Sequence, residues 1–338
     1  MSSARHFRLF CPKTGIIKRR EFMTVLASAM TWSVMSHAQQ AGRTYRLGVL
    51  APSGREAPPI VAFFDELRRA GFIEGENLAV IPGFGISENQ YSKLATALVN
   101  AAPDAITSDA GAARILKQLT RTIPIVAMGE DILADGLVAS LARPGGNITG
   151  ISILSPELNG KRQDLLLEAV PGARRMAALA DARSMQSQPL QQFQNAAQSR
   201  GVEFSVVAVN GPHEIVSAID GAKASGVEAV NVLAGPLFGS YQTRGIVLRH
   251  LAALRLPAIY QWPDMAEEGG LMAYGPSFTD LYRLRARMVA KVLLGTKPAD
   301  IPAEQPTRFE LVVNLKTAKA IGHEIPAGLV LRADKVIE

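Results

Sequence analysis

The chain has 338 residues, 48% of them hydrophobic and 20% charged, with a formal net charge of +6 and a single cysteine. The charge is concentrated at the amino end: residues 1–38 hold six of the basic residues and one of the acidic ones, leaving 30 basic and 29 acidic residues in the rest. A body so close to neutrality gives no electrostatic case for nucleic acid or an anionic membrane surface, and with Cys11 in the amino-terminal stretch it has no disulfide, thiolate nucleophile or cysteine metal site.

Residues 1–38 have the pattern of an export signal. Arg5, Arg8, Lys13, Lys18, Arg19 and Arg20 form a basic region, a modest apolar run from Phe22 to Met35 follows, and Ser36-His37-Ala38 places small residues at a cleavage position. Thr24, Ser28, Thr31 and Ser33 dilute the run too far for a permanent membrane span. Lys18-Arg19-Arg20-Glu21-Phe22 has the spacing of a twin-arginine signal, with a general secretory signal as the alternative. Both routes place the mature chain, starting near Gln39, in the periplasm, with no stable membrane insertion.

After residue 38 short β-rich runs alternate with longer amphipathic ones. Tyr45–Ala51 reads as a first strand, 59–70 as a helix with Phe63, Phe64 and Leu67 on one face, 77–81 as a strand and 88–101 as a helix. A strand at 104–108, a helix at 112–120 and a strand at 124–128 continue the alternation. The rhythm repeats with strands at 175–180, 203–208, 229–233 and 257–260 and helices at 190–200, 213–225 and 241–254. Strands alternating with helices predict an α/β fold of right-handed βαβ units, here two Rossmann-like lobes, each a mainly parallel sheet flanked by helices and joined by a hinge.

Two glycine-flanked short strands, 143–152 and 269–277, read as crossings between the lobes, with Gly150 and Gly275 as hinge positions. The helix at 281–294 then returns to the first lobe, and the strand at 308–313 reads as a further crossing. The expected organisation is lobe I from 43–150 plus 275–300, lobe II from 151–274, and a carboxy-terminal strand and helix, 301–338, assigned to lobe II.

Signatures of catalysis are missing. Gly83-Phe84-Gly85 follows the second strand and lacks the third glycine of a dinucleotide fingerprint, and no Gly-x-Ser-x-Gly elbow occurs. His213, His250 and His323 have no partners at metal-ligand spacing, so neither a metal nor a cofactor is expected. Ligands of open α/β sheets bind beyond the carboxyl ends of the strands, and here those ends are polar or aromatic. The residues expected to line a cleft are Ser53, Asp109, Glu130, Asp131, Asp181, Trp262 and Tyr274. The acids would hold a ligand amine, Ser53 and the amides after Ser108 a carboxylate. Tyr274 or Trp262, the one tryptophan after residue 38, would take the side chain, with simple packing as the alternative for Trp262.

Segments in order along the chain carry a family resemblance. They are Gly71-Phe-Ile-Glu-Gly-Glu-Asn77, Ile123-Pro-Ile-Val126, Gly136-Leu-Val-Ala-Ser-Leu-Ala-Arg-Pro-Gly-Gly-Asn-Ile-Thr-Gly150, Pro156-Glu-Leu-Asn-Gly-Lys-Arg162, Leu256-Pro-Ala-Ile-Tyr260, Gly269-Gly-Leu-Met-Ala-Tyr-Gly-Pro276 and the run from Gln305 to Gly322. In these the chain resembles the ABC-transporter substrate-binding proteins of tryptophan/tyrosine type, which have a periplasmic-binding-protein type 1 fold. The resemblance implies capture of a small molecule, an amino acid or aromatic compound, between two lobes and its delivery unaltered to an ABC permease. Alternatives on the same fold are a periplasmic sensor for a membrane receptor and an exported enzyme. The chain departs from the family pattern at Gly129-Glu-Asp-Ile132, where Gly-Asp-Pro-Val is usual, and at Asp181-Ala182, where Asn-Pro is frequent.

Overall fold

The computed structural model describes residues 42–86, 88–153, 155–187 and 190–338; the export signal read in residues 1–38 lies outside the described residues. The first half builds β1 (Tyr45–Leu50), α1 (Pro58–Arg69), β2 (Leu78–Ile81), α2 (Tyr91–Asn100), β3 (Ala105–Asp109), α3 (Ala110–Leu119), β4 (Ile125–Gly129) and β5 (Ile148–Ser152). Its sheet is parallel throughout, in the order β2-β1-β3-β4-β5. Helices cover both faces, which is why β1 is buried at every position but Arg46 and carries no alternating pattern.

The chain then enters α4 (Ser155–Ala169), β6 (Arg175–Asp181), α5 (Leu190–Gln198), β7 (Glu203–Val209), α6 (Ile215–Ala224), β8 (Ala229–Val232), the short α7 (Pro236–Gly239), α8 (Tyr241–Ala253), β9 (Ala258–Tyr260), α9 (Pro263–Glu267) and β10 (Met272–Gly275). A long helix, α10 (Phe278–Leu293), packs back on α1 of the first sheet. Glu304 pairs with Ile151 beside β5. The chain then returns as β11 (Glu310–Asn314), α11 (Leu315–Ile321), α12 (Ala327–Leu331) and β12 (Lys335–Ile337). The second sheet runs β12-β11-β10-β9-β8-β6-β7, parallel except where β10 meets β11. Three segments thus pass between the sheets, one between β5 and α4, one at 276–277 and one at 305–309. This is the two-sheet α/β class expected of the sequence.

Local chemistry explains the elements at this junction. Pro58 and Pro59 preset the first turn of α1, and Ile60, Phe63, Phe64 and Leu67 form its buried stripe. The hydroxyl of Ser277 caps α10 by accepting from the amide of Asp280 at 3.2 Å, so the helix starts directly after the second crossing. One apolar cluster joins α1 and α10 to Trp262 and Met265 and continues to β8 and α8. Gly150, read as a hinge residue, lies inside β5 at φ +155°, and a Cβ there would run into the carbonyl of Ala127 in β4. Close strand approach already demands glycine at that position.

The α1–α10 contact carries an ion pair whose pH response has a definite sign. Glu66 of α1 accepts from Arg287 of α10 at 3.0 Å and from Arg69 at 3.0 Å. The Arg287 hydrogen bond, aided by Arg69, holds its pKa below the ordinary 4.5 against partial desolvation. Its charge therefore stabilises the fold above that value, and the contribution is lost as pH falls through the lower folded pKa. Glu66→Gln is expected to cost up to about 1 kcal/mol near neutrality and to flatten the loss of thermal stability on acidification. Melting curves of both proteins over a pH series check this.

Candidate functional site

In a parallel sheet every strand ends at one edge, so the loops after neighbouring strands lie side by side. Ser108 at the end of β3 is in register with Leu50 of β1 and Ala127 of β4, and Gly129 of β4 with Ser152 of β5. Ser53, Ser108, Glu130 and Ser152 therefore share the carboxyl edge of the first sheet. Ser108 is fully buried, and its Oγ has no hydrogen-bond partner. The corresponding edge of the second sheet carries Asp181, the loop from Leu233 to Phe238, Gln261-Trp262 and Tyr274-Gly275.

The two edges meet at a guanidinium. Arg162 projects from α4, fully buried, and donates from Nε to the carbonyl of Tyr274 at 2.7 Å, from Nη1 to Oδ1 of Asn159 at 2.6 Å and from Nη2 to the carbonyl of Gln261 at 3.3 Å. Asn159 Oδ1 also accepts from the amide of Ala234 at 3.2 Å, and Asn231 donates to Gln163 at 3.1 Å, so the inner face of α4 is bonded to the ends of β8, β9 and β10. Burial pulls the Arg162 pKa down to about 9, while the carboxylate of Glu130, from the first sheet, works to raise it. A Cβ on Gly275 would collide with the Gln261 carbonyl and press on Arg162 Nη2 at 3.3 Å. Only glycine lets β10 approach this cluster.

The residues singled out from sequence fall into distinct settings. Glu130 and Tyr274 converge on Arg162, joined there by Gln261. The Asp181 carboxylate is wholly enclosed; it takes Nε and Nη2 of Arg183 at 3.0 and 2.9 Å and the amide of Leu237 at 3.2 Å. Ser53 is buried after β1, where its carbonyl accepts from Gly85 at 3.0 Å. Asp109 caps α3 through the amide of Ala112 at 2.8 Å and receives the Tyr91 hydroxyl, and Asp131 accepts from the amides of Leu133 and Ala134 at 3.0 and 2.9 Å. Both acids are thus spent on their own turns. Trp262 is 2% exposed, its ring centroid 4.7 Å from that of Phe278, and its Nε1 has no partner.

A second buried cation was not anticipated. Arg244 of α8 is 1% exposed, stacks 3.3 Å above the Tyr241 ring and bonds the carboxylate of Glu268. Its Nε and Nη1 have no hydrogen-bond partner. Burial drives the Tyr241 hydroxyl up to about 12 against the pull of Arg244, and raises Glu268 likewise. Asp264 then ties α9 to the start of α10 by accepting from the amide of Phe278 and the hydroxyl of Thr279, each at 3.0 Å.

Hollows of about 500 Å³ against β7 and α6 and about 300 Å³ at the amino end of β5 lie away from these strand ends. Among the described residues no group of three His, Cys, Asp or Glu is placed to hold a metal ion, and no helix is long and apolar enough to cross a membrane.

Arg162→Met should be costly, because it removes from the buried Tyr274 and Gln261 carbonyls the donor they share. A loss of about 3–5 kcal/mol in urea unfolding is expected, against about 1 kcal/mol or less for Arg114→Met on the surface.

Comparison with known proteins agrees with this architecture. Residues 63–337 match the family described as ABC transporter substrate binding protein. A tyrosine-binding protein of Clostridioides difficile is 24% identical over 267 residues, covering 77% of this chain and 75% of that protein. A conserved domain protein from Vibrio cholerae superposes with a TM-score of 0.75 at 22% identity, covering 87% of this chain and all, 100%, of that one. The ABC domain from Streptococcus pneumoniae in complex with L-Trp gives 0.71 at 23% identity, covering 86% of this chain and 100% of that one. With the match spanning both sheets and all three crossings, the chain belongs to the substrate-binding proteins of ABC transporters.

Proposed function

We propose that this substrate-binding protein is exported to the periplasm, where it takes up an amino acid or a related aromatic solute between its two sheets and passes it on unaltered to an ABC permease. The observation that carries the reading is the meeting of both carboxyl edges at Arg162, with Glu130 on one side and the Gln261 and Tyr274 carbonyls on the other. A solute held there touches both lobes at once. Only such contacts favour a closed arrangement over an open one, so the solute shifts an equilibrium between the two. The segments 276–277 and 305–309 are the places where rotation is absorbed, with Gly275 beside the first.

Ser53, Glu130, Asp181, Trp262 and Tyr274 remain the proposed lining, with the buried Ser108 hydroxyl added. Asp109 and Asp131 serve their turns instead. A carboxylate such as Glu130 suits a ligand ammonium, and the Tyr274 ring suits an apolar side chain. The named ligands of a tyrosine-binding relative and of a neighbour holding L-Trp point to the same class. Micromolar capture requires about −8 kcal/mol, within reach of a few hydrogen bonds and aromatic contacts in an enclosed cleft.

Calorimetric titration of the mature chain with L-tyrosine and L-tryptophan is expected to show binding of at least one. Scattering should show a more compact particle in its presence, and the solute should be recovered with unchanged mass. Trp262→Ala should weaken binding at least tenfold; unchanged affinity removes Trp262 from the lining. Mass analysis of the exported protein should place its first residue near Gln39.

A further inference from the structure

Two buried side-chain N–H groups converge on a glycine at the carboxyl edge of the second sheet. A Cβ on Gly239, at the end of α7, would lie 3.2 Å from Nε2 of Gln261 and 3.2 Å from Nε1 of Trp262. Gln261 is 0% and Trp262 2% exposed, while Gly239 itself is half-buried. The amide of Gly235 donates to Gln261 Oε1 at 3.2 Å, which orients the carboxamide with its NH₂ toward Gly239. That NH₂ has a long 3.4 Å bond to the Gly235 carbonyl, and the Trp262 indole N–H has no partner. Leaving a buried donor unpaired is costly, an arrangement that makes sense where something else supplies the acceptor. Behind the pair stands a charge, since Arg162 Nη2 bonds the Gln261 carbonyl at 3.3 Å. Its positive field reaches the same strand end and favours an acceptor that is negative.

From this geometry we infer that the bare face of Gly239, flanked by the Trp262 indole and the Gln261 carboxamide, is the subsite for a ligand carboxylate. It rests on the solute-binding reading above and deepens it: the solute carries a carboxylate, and the second lobe is the one that holds it. Trp262 then acts through its N–H, while its ring stays packed on Phe278. Gly239 needs no positive φ, so a methyl group can be added there without backbone strain and closes the subsite.

The test compares L-tyrosine with tyramine, which differs only in lacking the carboxylate. Wild-type mature chain should bind L-tyrosine at least tenfold more tightly than tyramine, as expected of one charge-assisted hydrogen bond. Trp262→Phe, which keeps the ring and removes the N–H, and Gly239→Ala should each reduce that preference by tenfold or more. The single indole N–H resonance of the ¹⁵N-labelled mature chain should move downfield with L-tyrosine and stay in place with tyramine. If L-tyrosine binds while the indole resonance is unmoved and both variants keep the preference, the subsite is wrong and the solute-binding reading stands. Should L-tyrosine not bind, native mass spectrometry of the purified protein identifies the solute it carries. A solute without a carboxylate overturns the subsite, and a protein that carries and binds nothing overturns both readings.

Discussion

A guanidinium removed from water must find an oxygen for its donors within the protein, and the junction of this molecule is arranged around that requirement. Arg162 takes them from Asn159 on its own helix, from Gln261 just after β9 and from Tyr274 near the end of β10. None of those three oxygens is charged. Dipoles supply these three bonds, burial draws the pKa down to about 9, and the carboxylate of Glu130 from the other sheet works against that shift. Because those dipoles belong to strand ends, their positions become mutually dependent: β10 must lack a side chain at Gly275, β9 must direct a carbonyl inward at Gln261, and α4 must start where it does. The lobes are linked electrostatically at a point where the chain also crosses between them.

Much of the fold was legible because parallel strands buried on both faces announce themselves. Leu47–Leu50, Ile125–Gly129 and Met176–Ala180 are unbroken runs without a charged residue at a helix–strand rhythm, and that rhythm admits few topologies. The element that escaped the periodicity reading is α4, the one that holds the junction. Its inner face runs Asn159, Arg162, Gln163 and then Leu166 and Ala169, all buried. The helical spacing is intact, but half of the stripe is polar, so a search for an apolar face passes over it. The short β12 and α9 were missed for a different reason: with three and five residues they carry too few positions for any period to show.

The strand-end positions of the residues singled out were legible, and their roles were not. Strand-end acids are drawn to free backbone amides as readily as to a ligand, and residue type does not separate the two uses. Asp109 and Asp131 stand at the carboxyl edge as anticipated, yet each is bonded to amides two or three residues ahead. Glu130, beside Asp131, has a longer side chain and reaches the field of Arg162 instead. The Trp262 ring is engaged by Phe278, which leaves only its N–H as a group with unmet chemistry. Arg162 and Arg244 could have been suspected from sequence alone only by asking what an arginine does on a helix packed against a sheet.

This division of labour bears on how one scaffold can serve different solutes. The bonds that hold the junction run almost entirely through backbone carbonyls and amides at Tyr274, Gln261, Ala234 and Leu237. Strand-end side chains that are not one end of these bonds can therefore change without disturbing them, whereas Asn159, Arg162 and Asp181 cannot. Pro156–Arg162 and Gly269–Pro276 contain the junction itself, whereas Gly129–Ile132 runs from the end of β4 into the loop beyond it. A charge held by main-chain carbonyls fixes the strand ends that carry them and leaves the other loop side chains free of that duty.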